Sequence, residues 1–226
     1  TAALAEKYQP WRNQIKEWNE KHPLAYTEEG DIIKPQYVIE TIDRLTGGDA
    51  IISTEVGQNQ MWAAQFYKFN KPRHLLSSGG LGTMGFGLPA AIGAKMAFPD
   101  ATVIDVAGDG SIQMNIQELA TARQYNTPVK VAILNNNYLG MVRQWQQMFY
   151  ESRYVETPIY SPDYVKLAEA YGMPGYRVEK MEEIIPTMRQ AQAHDGPVII
   201  EFVVEQFDNV YPMVPAGAPI TEMLLV

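Results

Sequence analysis

Cysteine is absent from the 226 residues, which excludes disulfides, thiolate metal sites and a cysteine nucleophile. Histidine is scarce: His22, His74 and His194 are scattered, and no spacing among them makes a His-rich metal site. Basic residues are in deficit, 18 Lys+Arg against 26 Asp+Glu. The resulting net charge of −8 repels phosphate backbones and anionic headgroups, so neither a nucleic-acid nor a membrane-surface partner is expected. Long apolar runs are also missing. The uncharged stretch Ser77–Ala94 contains six Gly and Pro89, so it reads as a loop entering a helix and not as a membrane span. Thr1–Glu6 lacks a basic start followed by an apolar core, and no signal peptide is expected.

What is present suits a folded core: 46% of residues are hydrophobic and 19% charged, enough for one large domain or two small ones. Charge density divides the chain. Residues 1–34 hold 11 charged side chains, whereas residues 50–150 hold 12. The first stretch therefore reads as a solvated connector with a helix around Trp11–Lys21. From Pro35 onward, runs rich in Ile and Val alternate with helical periods. Strands are expected at Ala50–Val56, His74–Ser77, Thr102–Ala107, Val129–Asn135, Tyr176–Glu179 and Val198–Val204. Helices are expected at Pro35–Leu45, Gln60–Phe69, Gly85–Phe98, Ile112–Tyr125, Gly140–Tyr150, Asp163–Tyr171 and Met181–Ala193. Near-continuous apolar strands separated by helices predict a three-layer α/β/α domain with a mainly parallel sheet of about six strands. Ligands then bind beyond the carboxyl ends of the strands.

Three strand-to-helix junctions carry chemistry. Gly80, Gly82 and Gly85 make a formal G-x-G-x-x-G, with Asp105 20 residues beyond Gly85, which matches a dinucleotide fingerprint on paper. The same glycines also serve tight turns and close helix packing. Gly108-Asp109-Gly110-Ser111 follows the third strand and Asn135-Asn136-Asn137 the fourth, with Asp109 and Asn136 27 residues apart. One helix and one strand fill that interval, so a right-handed crossover places both at one edge of the sheet. On neighbouring strands they start about 5 Å apart. Carboxylate and amide oxygens favour Mg²⁺ or Ca²⁺, and Mg²⁺ commonly bridges to ligand phosphates. Gly108 and Gly110 admit a diphosphate to the backbone, and a helix beginning at Ser111 and Ile112 offers N–H groups to it. Taken singly, each junction is also an ordinary capped turn.

Gly108-Asp109-Gly110-Ser111, with Asn135-Asn136 beginning 24 positions beyond Ser111, resembles the signature of thiamine-diphosphate enzymes. Val56-Gly57-Gln58, Met61–Gln65, Gly82–Ala91, Gln117–Ala122 and Leu139–Trp145 are similar to the catalytic subunit of acetohydroxyacid (acetolactate) synthases, from about Pro35 to Pro219. The resemblance implies that the side chains of Asp109 and Asn136 and the Tyr138 carbonyl ligate Mg²⁺. It implies a cofactor site of Gln58, Asn59, Gly82, Met84, Gly108, Gly110, Ser111, Tyr138 and Gly140, with Met84 wedged between the cofactor's rings. Met141, Val142, Trp145 and Phe149 line the substrate channel in this reading, and Trp145 shapes the choice of second substrate. Asn59 stands where the family usually has His.

The family's chain has three domains, of which only the last matches here. Residues 1–34 are then a connector from a preceding domain, 35–206 the domain binding diphosphate and Mg²⁺, and 207–226 a tail near the active site. No catalytic acid is assigned within these residues, since Glu55 and Glu118 do not match the Glu that activates the cofactor. That Glu is expected on a pyrimidine-binding domain of the same or a partner subunit, and FAD mostly on another domain. A homodimer or higher oligomer is implied, with room for a regulatory subunit, cytoplasmic in a bacterium or archaeon and organellar in a eukaryote. The expected activity decarboxylates pyruvate and condenses the product with a second 2-oxo acid, in branched-chain amino-acid biosynthesis. Three alternatives stay open: another thiamine-diphosphate carboligase or decarboxylase, a binding module without turnover, and a Rossmann oxidoreductase.

Overall fold

The computed structural model describes residues 2–225. Its centre is a six-stranded sheet: β1 (Ile51–Thr54), β2 (Leu75–Ser77), β3 (Val103–Gly108), β4 (Lys130–Asn135), β5 (Gly175–Val178) and β6 (Val198–Val203). All neighbours pair in parallel, in the order β2-β1-β3-β4-β6-β5. The winding reverses between β1 and β3, because β2 is added on one side and β4 on the other. Beyond the carboxyl ends of these two strands lies the switch point where open α/β sheets bind ligands.

Side chains alternate along each strand, so one sheet makes two cores. Ile52, Ile104, Val106, Leu134, Ile200 and Phe202 face α2 (Pro35–Thr46), α3 (Gln58–Phe66) and α9 (Met181–Ala193). Ile51, Val103, Val131, Ile133 and Ile199 face α4 (Gly87–Ala97), α6 (Leu119–Gln124) and α8 (Tyr164–Ala170). Each fully buried Ile or Val contributes about 1.5–3 kcal/mol relative to exposure, which is why strands covered on both faces read as continuous apolar runs.

Local signals set several helix boundaries. Pro35 opens α2 in the first turn, where a missing N–H is harmless, and Gly47 closes it in the left-handed conformation at φ 60°. Asp163 caps α8 by accepting from the N–H groups of Val165 and Lys166, both at 3.2 Å. α1 (Ala2–Lys21) begins well before the expected Trp11 and runs through Pro10, which removes one backbone hydrogen bond and crowds the carbonyl four residues before it.

The expected helix Ile112–Tyr125 is a correction. α5 covers Asp109–Ile112, a 3-10 turn follows over Gln113–Glu118, and α6 completes the segment. Asn115 breaks it at φ −133°, ψ 32°, where its side-chain amide donates to the carbonyl of Gly85 at 2.8 Å. Periodicity over the segment could not reveal a partner 30 residues away.

Candidate cofactor site

The loops leaving β1, β2, β3 and β4 converge on a cavity of about 360 Å³ at the switch point. Gly108 pairs with Leu134 across β3 and β4, so Asp109 and Asn136 project from the same sheet edge, as their spacing implied. Asp109 is 1% exposed. Its Oδ2 accepts from Ser161 Oγ at 2.9 Å, and its backbone carbonyl accepts from Tyr164 Oη at 2.8 Å. Burial pushes its carboxyl up to about 6, against the lowering pull of the Ser161 bond. A buried acid with one hydroxyl partner and no basic neighbour among these contacts fits a site made to receive a cation.

Asn136 Nδ2 donates to Gln58 Oε1 at 3.2 Å, while its Oδ1 accepts from the Tyr138 N–H at 3.1 Å. That short Asx turn is held by Asn137 at φ 58°, a conformation Asn tolerates. The loop passes close to its neighbours. A Cβ at Gly140 would overlap Gln58 Oε1 and lie 2.9 Å from Asn136 Nδ2, and one at Gly110 would lie 2.8 Å from Leu139 Cδ2. Oxygen donors and closely approaching main chain, with no group of three His, Asp or Glu side chains among the described residues, fit a hard cation that completes its shell with ligand oxygens.

Every expected site residue except Phe149 lines this cavity: Gln58, Asn59, Gly82, Met84, Gly108, Asp109, Gly110, Ser111, Asn136, Tyr138, Gly140, Met141, Val142 and Trp145. Phe149 borders a second cavity of about 500 Å³, which shares Met61, Met141 and Trp145 with the first. It sits more than two helical turns beyond Met141 on α7 (Gly140–Phe149), too far along the axis to reach the first wall.

Three polar side chains of the expected cofactor site bond to other protein groups. Gln58 donates through Nε2 to Gln144 Oε1 at 2.8 Å and to the Asp208 carbonyl at 3.0 Å, so both amide hydrogens are engaged. Asn59 Nδ2 donates to the Val106 carbonyl at 2.9 Å, toward β3. The Ser111 hydroxyl donates inward to Glu55 Oε2 at 2.7 Å. α5 also begins at Asp109, three residues before the expected helix start at Ile112.

Sequence reasoning met Asp105 only as a fingerprint acid and Glu55 only as an acid without a match, and missed the layer they form beneath the cavity. Glu55, Asp105, Arg143 and Gln144 are fully buried. Gln144 exchanges bonds with Val210, donating to its carbonyl at 3.0 Å and accepting from its N–H at 2.9 Å. Arg143 donates to the Asp208 carbonyl at 2.6 Å. Two long polar residues side by side on an amphipathic helix were the one available signal.

Doubly wound sheets take coenzymes at such a switch point, and by that geometry this is a coenzyme-binding domain. A family model described as "Thiamine pyrophosphate enzyme, C-terminal TPP binding domain" matches residues 55–202, and the chain belongs to that family. Its relatives include the large subunit of acetolactate synthase isozyme 3 of Escherichia coli, 49% identical over 97% of this chain and 39% of that protein. The mitochondrial acetolactate synthase of Schizosaccharomyces pombe is 48% identical over 95% of this chain and 33% of that protein. The chloroplastic acetolactate synthase of Arabidopsis thaliana is 46% identical over the same shares. The chain thus spans 33% to 39% of the length of these relatives. Among the described residues, no helix is long and apolar enough to cross a membrane.

Proposed function

We propose that this domain holds thiamine diphosphate through Mg²⁺ in an acetolactate-synthase-type enzyme, which decarboxylates pyruvate and joins the product to a second 2-oxo acid. The carrying observation is the convergence of Asp109, Asn136, Tyr138 and the glycines 108, 110 and 140 on one switch-point cavity, in a chain similar to acetolactate synthases. Bound there, the cofactor supplies the carbon–carbon bond chemistry. Asp109, Asn136 and the Tyr138 carbonyl hold the metal, Gly108 and Gly110 let main chain approach the diphosphate, and Met84 supports the rings. Met141, Val142 and Trp145 wall the acceptor side.

Among the described residues, Asp109 is the only acid lining the cavity, which supports an activating Glu supplied by another domain. Leu81, 93% exposed, directly precedes cavity-lining Gly82, and Met61 and Trp145, which line the cavity, are exposed as well. An apolar rim of this kind suits a partner domain of the same or a second subunit, with FAD held mainly elsewhere. Residues 1–34, 35–206 and 207–226 then serve as connector, cofactor domain and tail. The test is acetolactate formation from pyruvate with thiamine diphosphate, Mg²⁺ and FAD, comparing protein from the complete reading frame with the 226 residues alone. The first is expected to turn over and the second to be silent. A complete protein that binds cofactor but never forms acetolactate would overturn the activity, and turnover by the shorter chain would require an acid within it.

Two further results are expected. Mg²⁺ competes with the proton on Asp109. Its raised value of about 6 means that above pH 6 the carboxylate is already free, whereas below pH 6 each unit lowers apparent Mg²⁺ affinity up to about tenfold. Titration of Mg²⁺ at pH 5, 6 and 7 with saturating thiamine diphosphate checks this, and a flat profile contradicts it. Trp145 lies between the two cavities and is 45% exposed. Trp145→Leu should shift the preference between pyruvate and 2-oxobutyrate as acceptor by roughly 1–3 kcal/mol, the worth of one methylene in an apolar pocket. Unchanged product ratios in direct competition would remove Trp145 from the acceptor wall.

A further inference from the structure

Glu55 follows β1 directly and is fully buried. Its Oε2 accepts from the Gly85 N–H and from Ser111 Oγ, each at 2.7 Å, and its Oε1 accepts from the Leu88 N–H at 3.1 Å. These donors belong to two segments. Gly85 and Leu88 flank the junction between the Met84 turn and α4, while Ser111 lies in α5, next to Gly110 and two residues after Asp109. The Ser111 hydroxyl extends the bridge by accepting from the Val56 N–H at 3.1 Å.

Asp105 lies in the same layer. It is the register partner of Ser53, whose hydroxyl donates to its Oδ1 at 2.9 Å, and its Oδ2 has no partner among the described residues. Burial first, and then the charge of Glu55, hold the Asp105 carboxyl well above the usual carboxylate range.

We infer that Glu55 is a positioning residue: its two oxygens fasten the turn carrying Met84 to the segment carrying Asp109, Gly110 and Ser111, and so set the separation between the two walls of the cavity. This rests on the cavity being the thiamine-diphosphate site, because one wall is then opposite the rings and the other opposite the diphosphate. The pattern of donors makes the claim specific. Both carboxylate oxygens meet backbone N–H groups, which cannot reverse their direction. An amide of the same size would put its own NH₂ against the N–H of either Leu88 or Gly85, leaving a buried donor facing a donor. A shorter acid keeps about four acceptor lone pairs and only retracts them.

Glu55→Gln and Glu55→Asp distinguish this role from simple filling of space. If Glu55 only packs, the isosteric Gln variant should resemble wild type and the Asp variant should be the poorer, through the missing methylene. If it positions, the order reverses. In protein from the complete reading frame, titrated with thiamine diphosphate at saturating Mg²⁺ and followed by tryptophan fluorescence, Gln is expected to weaken affinity at least thirtyfold. Asp is expected to weaken it threefold to tenfold. In cofactor-free protein, hydrogen exchange at the Gly85 and Leu88 amides should accelerate at least tenfold in the Gln variant.

A Gln variant within threefold of wild type in both affinity and exchange overturns the proposal, as does an Asp variant poorer than Gln. Should the Gln variant not fold, the Asp variant decides: an Asp variant that folds and binds threefold to tenfold more weakly than wild type is then the better of the two, the order that packing alone excludes, and supports the proposal, whereas an Asp variant that also fails to fold, or that binds as wild type, overturns it. If wild type itself fails to bind thiamine diphosphate, the reading of the cavity falls, while amide exchange in the variants still judges the clamp.

Discussion

Replacing Asp109 by Ala is expected to abolish Mg²⁺-dependent binding of thiamine diphosphate. Of the three donors assigned to the metal, Asp109 alone can carry charge; Asn136 and the Tyr138 carbonyl are neutral dipoles. Removing the anionic partner of a buried charge pair costs about 3–5 kcal/mol, a loss of two decades or more in affinity. The fold should survive. The side chain reaches Ser161 Oγ through one hydrogen bond, and Tyr164 is held by the backbone carbonyl of residue 109, which Ala keeps. Glu28→Ala, at an exposed position, is the matched control and should titrate as wild type. Equal cofactor titrations for Asp109→Ala and wild type, at matched thermal midpoints, would remove Asp109 from the metal site.

Gly87→Ala is expected to damage the whole domain. A Cβ there would overlap Asp105 Oδ1 and lie 2.6 Å from the Glu55 backbone nitrogen and 2.8 Å from the Thr54 carbonyl carbon. Two of these atoms belong to the backbone at the end of β1, beside the centre of the sheet, where nothing yields without disturbing β3. Overpacking of this kind costs roughly 1–3 kcal/mol or more. At about 2–4 °C per kcal/mol for a chain of this size, the thermal midpoint should fall by roughly 6–12 °C at the upper end of that range. Gly93 lies in the same helix, and a methyl placed on it would meet nothing within 4 Å. Gly93→Ala should hold or raise the midpoint, since Ala is favoured over Gly in a helix by about 0.5–1 kcal/mol. Melting curves of the two variants side by side check the contrast, and a Gly87→Ala midpoint within about 2 °C of wild type, less than one kcal/mol, would show that α4 is not fixed to β1.

The sheet was legible in the sequence because burial on both faces writes itself as uninterrupted Ile and Val runs. All six expected strands form, with ends shifted by at most two residues. The parallel crossover from β3 to β4 was legible too, and spacing alone placed Asp109 and Asn136 at one edge. Side-chain orientation was not. Gln58 turns to Gln144, 86 positions away, and to Asp208, 150 positions away. No local pattern in residues 56–60 encodes either partner. The same holds for Glu55, which as a sequence feature is a lone acid at a strand end. Its three donors become visible only when the Met84 turn and α5 fold over it. The failed helix at residues 112–125 has a similar cause, for Asn115 is recruited by Gly85 against the helical period around it.

The cavity floor depends on a stretch that follows the last sheet strand. Side chains of α3 and α7 grip the backbone of residues 208–211: Gln58 and Arg143 hold the Asp208 carbonyl, Gln144 holds Val210 at both N–H and carbonyl, and Gln65 holds the Tyr211 carbonyl at 3.0 Å. During synthesis the sheet strands leave the ribosome before this stretch does. Until residues 208–211 emerge, Gln58, Arg143 and Gln144 have no partners for those bonds, and the wall between cavity and tail cannot set. The coenzyme pocket is therefore finished only after the central sheet that carries it has been made, so a nascent chain stalled before residue 208 would own a complete sheet and an incomplete pocket.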